Sequence, residues 1–136
     1  MQRKSDKKEK SLKNGVVFQN RKKGIVIIME NLSLKEMQEM QKVLQEKYLD
    51  KWGGLSPEKA MSKMLWMIAE IGEAAQIIKK KGNSEIMSDA ETRKDFVEEM
   101  CDVLMYFNDV LISYSITPEE FEKVYLEKHN KNMKRW

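Results

Sequence analysis

From residue 31 onward, apolar positions recur at the spacing of helices. The longest such run is "MSKMLWMIAEIGEAAQIIKKKG", Met61 to Gly82. At 100° per residue, Met61, Met64, Leu65, Ile68, Ile71, Gly72 and Ala75 share one face. Trp66, Ala69, Ala74 and Ile77 project to the other side, together with Glu70 and Glu73. A helix that is apolar nearly all round buries more than one side. The run "DFVEEMCDVLMYFNDVLI" behaves the same way. Phe96, Met100, Val103, Phe107 and Val110 make one stripe, and Val97, Cys101, Leu104 and Ile112 widen it. One small bundle rarely needs two such helices, so the pattern predicts an obligate homo-oligomer, a homodimer or a dimer of dimers.

Start and stop signals divide this part of the chain into four predicted helices. Ser33-Leu34-Lys35-Glu36 and Ser88-Asp89-Ala90-Glu91 read as capping boxes. Ser56-Pro57 sets an N-cap before a proline at the first helical position, and Thr117-Pro118-Glu119-Glu120 combines both devices. Gly53-Gly54 and Gly82-Asn83 read as stops. The expectation is helices near 34–51, 57–81, 89–115 and 118–134, with short connections and antiparallel neighbours. This is an all-α, four-helix bundle.

Composition narrows the picture. The 136 residues suit one domain, 41% hydrophobic and 35% charged. Two Pro and six Gly favour helices over a turn-rich β fold. No apolar run approaches the roughly 20 residues of a membrane span. The single Cys101 excludes an internal disulfide framework and a CxxC metal site, which fits a reducing, cytoplasmic setting. The net charge of +3 hides a division. Residues 1–30 carry nine Lys/Arg against three Asp/Glu, leaving 16 against 19 in residues 31–136. The basic leader reads as a disordered tail, as a short hairpin of Val16–Phe18 with Ile25–Ile28, or as sequence preceding a true start at Met29. Its apolar run is too short for a secretory signal. It has almost no interleaved aromatics, which argues against nucleic acid as its partner.

The chemistry lies in two acid pairs. Glu70 and Glu73 sit one turn apart on the second predicted helix, and Glu99 and Asp102 sit one turn apart on the third. One such pair alone reads as an ordinary solvated face, as Glu98 does. Two pairs on neighbouring apolar helices would converge when those helices pack antiparallel. Carboxylates crowded together in a poorly solvated cleft either take up protons or hold a cation. Oxygen ligands without His or Cys suit Mg2+, with Mn2+ as the alternative, and Mg2+ in such sites recruits substrate phosphates. A di-iron bundle would need Glu-x-x-His pairs, and His129, the single histidine, is not in one.

"EIGEAAQIIKKKG" followed by "FVEEMCDVLMYFNDVL" resembles the MazG-like, all-α nucleoside triphosphate pyrophosphohydrolases, whose mark is ExxE on one helix and ExxD on the next. The resemblance spans about residues 34–135. It departs at Met100-Cys101-Asp102, where the family often has Leu-Gly-Asp. It implies Mg2+-dependent hydrolysis of a nucleoside triphosphate, with a pyrimidine deoxynucleotide favoured, to the monophosphate and pyrophosphate. The metal would be held by Glu70, Glu73, Glu99 and Asp102. The ending "EKHNKNMKRW" resembles the family's K…N..R terminus, which makes Lys128, Asn132 and Arg135 donors to the triphosphate. Read without the family, they are a basic helix end that suits the macrodipole. Trp52 and Trp66 are candidates to stack on the base, or else core aromatics. The alternative function is a non-catalytic helical dimer that binds nucleotide or acts as a regulator.

Overall fold

A computed structural model of the chain describes residues 31–135. Residues from Leu34 onward form one unit; the leader and its possible hairpin lie outside the described residues. Among the latter there are five α-helices and no strand: α1 (Leu34–Lys47), α2 (Leu49–Trp52), α3 (Ala60–Ser88), α4 (Ala90–Ser113) and α5 (Pro118–Met133). The all-α expectation holds, and the count of four becomes five. The helix expected over 34–51 breaks at Tyr48, whose backbone (φ −109°, ψ 23°) leaves the helical region, so its last turn is the separate α2. No described helix is long and apolar enough to cross a membrane.

The punctuation acts where the sequence places it, with two revisions. Gly53 ends α2 in the left-handed conformation, as a C-terminal glycine should. Pro57 opens a 3-10 turn, Pro57–Lys59, that leads into α3. Thr117 caps α5, its hydroxyl accepting from the Glu120 backbone N–H at 3.2 Å. Between α3 and α4 the cap is Asp89 rather than Ser88. Only one extended residue joins the two helices, and that residue is Asp89. Its carboxylate accepts from the Thr92 N–H at 2.8 Å, and this bond holds its pKa below the ordinary value. Ser88 still belongs to α3 and donates back to the Ser84 carbonyl at 2.8 Å. The second revision concerns Gly82, which interrupts α3 without ending it. Its φ of 82° and ψ of 161° are reachable in practice by glycine alone, and helix resumes as far as Ser88.

The α3–α4 hairpin is the main body of this unit, with α1 against α4 and α5 joined through rings. Phe107 of α4 meets Phe121 of α5 edge-on at 5.3 Å. Few of the described residues are buried. The apolar ones are Ala60, Ala74, Val110 and Leu111. The polar ones include three glutamines of α1, Gln38, Gln41 and Gln45, together with Asn108 and Asp109 of α4. Gln38, Gln41 and Gln45 are spaced three and four residues apart, so they form one stripe facing the hairpin.

Candidate functional site

The α3–α4 pair is a ladder in strict antiparallel register. At its first level the Lys63 ammonium of α3 meets the Asp109 carboxylate of α4 at 3.6 Å. At the next, Trp66 stacks on Tyr106, centroids 6.5 Å apart and planes 17° apart. Glu70 follows, close enough to Asp102 for their charges to interact, and Glu73 then joins Glu99 in the acid cluster. Moving up α3 by three, four and three residues matches moving down α4 by the same steps. These are the steps that return to one face of a helix, so a single register brings all four pairs together.

Three of the four predicted acids form one group. Glu70, Glu73 and Glu99 each offer a carboxylate oxygen, and these oxygens lie within 4.8 Å of one another. Partial burial pushes the Glu70 carboxyl up from its ordinary value. The charges of Asp102, Glu73 and Glu99 push it further, as does a hydrogen bond with Glu99. Asp102 stands one turn beyond Glu99 and faces Glu70, outside the tight trio. The donor set fits Mg2+ or Mn2+. It is all oxygen, and ligands at about 2.1 Å around an octahedral ion are about 3–4 Å apart, so only a small contraction is needed. In one respect the site differs from expectation: Glu73 and Asp102 are exposed. A single chain leaves these two carboxylates open to water.

Next to the acids is a cleft of about 620 Å3 between the hairpin, α1 and α2. It extends from the Lys63–Asp109 level to the Glu70–Asp102 level, where the cluster begins. Both predicted tryptophans line it. Trp52 is held by its turn: the Lys59 ammonium donates to the Trp52 carbonyl at 2.7 Å, and the Trp52 ring lies 4.6 Å from that of Tyr48. A side chain at Gly53 would meet that ammonium at 2.6 Å and would require a left-handed φ of 70°. Lys128, Asn132 and Arg135 are on the exposed part of α5 and the residues just after it, and do not line the cleft. Beyond Tyr125 that helix has left the ring contacts that join it to α4. Glu98 pairs with Lys94 at 3.4 Å on the surface, and His129 and Cys101 are exposed.

The floor of the cleft is not foreseen in the sequence. Gln45 Nε2 donates to Asp109 Oδ2 at 3.2 Å in a buried contact. Gln41, one turn earlier on α1, also favours the charged form of Asp109. Lys63 lies over the rings of Tyr106 and Trp52, at 5.6 and 5.9 Å from their centroids. Burial pushes the Asp109 carboxyl up, against the lowering effect of Gln41, Lys63 and Gln45. Burial likewise raises the Tyr106 hydroxyl, aided by the charges of Glu70, Asp109 and Asp102. Two signals could have found this floor. One is the glutamine stripe at 38, 41 and 45; the other is Asn108-Asp109 inside an apolar run.

Compared with family models, curated proteins and solved structures, the chain matches none.

Proposed function

We propose that the chain is a Mg2+-dependent nucleoside triphosphate pyrophosphohydrolase of the MazG-like kind. The observation that carries this reading is the acid trio of Glu70, Glu73 and Glu99, with carboxylate oxygens within 4.8 Å of one another, directly beside a cleft walled by Trp52, Trp66 and Tyr106. Phosphate chemistry at one end and aromatic faces at the other match the two ends of a nucleotide.

Glu70, Glu73 and Glu99, with Asp102 alongside, would hold the metal. When bound, Mg2+ neutralises the triphosphate oxygens and makes the attacking water more acidic. A water would attack at the α–β linkage, the anhydride bond breaking and the water's proton passing to solvent, to give the monophosphate and pyrophosphate. The protein's part is to place the triphosphate in line and to hold fixed charge against it. The indole and phenol faces receive the base, which fixes the far end of the substrate.

The working form is a homodimer or a dimer of dimers. Support comes from Met61, Leu65, Ile68 and Ile71 of α3 and Val97, Met100 and Leu104 of α4, all exposed in the single chain. Each Leu or Ile side chain taken out of water contributes about 1.5–3 kcal/mol. Such an assembly would screen Glu73 and Asp102, and it would let the C-terminal end of one copy bring Lys128, Asn132 and Arg135 to the phosphates of the other.

The test is pyrophosphate release from a panel of dNTPs and NTPs with and without Mg2+. Release that depends on Mg2+ and is lost in Asp102→Asn and Glu73→Gln supports the reading. Mg2+-dependent nucleotide binding with no release would leave the non-catalytic dimer in its place.

A further inference from the structure

The floor of the cleft carries information that the phosphate end does not. Asp109 is 1% exposed and Gln45 is 6% exposed. Each keeps one buried oxygen, Asp109 Oδ1 and Gln45 Oε1, with no donor inside the chain. The Gln45 amide cannot simply be turned over, because its nitrogen already faces Asp109 Oδ2 and an oxygen there would face a carboxylate. A buried acceptor without a donor is costly, and native interiors seldom leave two side by side. Both residues line the cleft, so a donor coming from outside the chain would approach from that side once the surrounding side chains adjust. The third group on this floor is a donor: the Lys63 ammonium, 3.6 Å from Asp109 Oδ2.

The floor therefore offers two acceptors beside one donor. The complementary ligand edge has an amine beside an unprotonated ring nitrogen. Cytosine and adenine both present that edge. Uracil and hypoxanthine present the reverse, an oxo group beside a ring N–H, and would set oxygen against Asp109 and Gln45. Stacking on Trp52, Trp66 or Tyr106 is indifferent to this difference, since every base has a π face. Hydrogen bonds to buried groups are not indifferent, because the wrong partner leaves them unpaired.

We propose that Asp109, Gln45 and Lys63 form a base-reading floor that selects an amino-bearing base of the cytosine or adenine type over its oxo counterpart. This rests on the reading above in placing a nucleotide in the cleft, and it adds which edge of the base is recognised.

The experiment compares matched pairs on the full chain, dCTP with dUTP and dATP with dITP, by pyrophosphate release in Mg2+. In parallel, deoxycytidine and deoxyuridine binding is measured by calorimetry without metal. The amino member of each pair is favoured by about tenfold or more, the effect of one buried polar group left unpaired. Asp109→Asn, which puts an amide donor where an acceptor was, removes or inverts the preference. Lys63→Met keeps the stem, reduces the preference, and serves if the Asp109→Asn substitution disturbs folding. Equal rates within both pairs, or preference for the oxo members, overturn the floor while leaving the hydrolase reading intact. Deoxycytidine bound over deoxyuridine without hydrolysis of any triphosphate upholds the floor and ends the hydrolase reading.

Discussion

The two faces of α3 differ in the opposite sense from a simple amphipathic helix. The face that packs against α4 carries Lys63, Glu70 and Glu73 among Met67, Ala74 and Ile77. The face turned away carries Met61, Met64, Leu65, Ile68 and Ile71, all exposed, with Ile68 at 55%. A helix that packed only to hide its greasiest surface would sit the other way round. The contrast teaches that the hairpin interior gathers the charged groups, while the apolar side is left exposed in the single chain. The measurements that follow test that contrast.

The largest effect belongs to the inner face. Glu73→Gln should lower pyrophosphate release by about 10²–10³-fold, the usual loss when one fixed charge at a reacting centre is removed, while circular dichroism shows the helices intact. Unchanged activity would leave the inner face without its assigned role.

The outer face is tested by Ile68→Asp. Placed in a covered apolar interface, an aspartate should weaken assembly by at least about 2 kcal/mol, or roughly 30-fold, read as a fall in mass by sedimentation. If Ile68 faces only water, as in the isolated chain, neither mass nor activity moves.

Mg2+ should stabilise the fold by about 1.4 kcal/mol at ten times its dissociation constant, seen as a rise in melting temperature at pH 7.5. The gain should fade as pH falls through the raised pKa of the Glu70 carboxyl. Glu70 is the group concerned: its folded pKa is raised above the unfolded value, so the folded state holds the extra proton. Without metal, stability is therefore lost as pH rises from the ordinary carboxylate value through the raised one. A cation replaces the proton, and at low pH the two compete. Glu70→Gln should flatten the pH dependence and remove the Mg2+ gain together. A gain that does not change with pH would separate the ion from this cluster.

The smallest effect lies away from both faces. Thr117→Ala removes the α5 cap and should cost about 1 kcal/mol, with activity per folded molecule unchanged unless α5 serves the site.

Much of this was written locally. The helix starts at Leu34, at Pro118 and beside Ser88 and the stop at Gly53 follow from backbone rules that act over a few residues, whereas Gly82, read as a stop, only interrupts α3, which resumes as far as Ser88. The convergence of Glu70, Glu73 and Glu99 was also legible, because their i, i+3 spacing on two helices joined by a tight turn leaves few registers. Trp52 could be read only as a turn residue with two possible uses. The Lys59 bond that holds its turn, and its position over the cleft, arise from parts of the chain that meet in space.

Sequence periodicity thus determined the helices and which residues share a face, since each depends on bonds between near neighbours. It did not determine which face of α3 turns inward, or that Gln45 and Asp109, 64 residues apart, meet beneath Lys63. Those were settled by packing, where one antiparallel register had to satisfy the acids, the Trp66–Tyr106 stack and the Lys63–Asp109 pair at once.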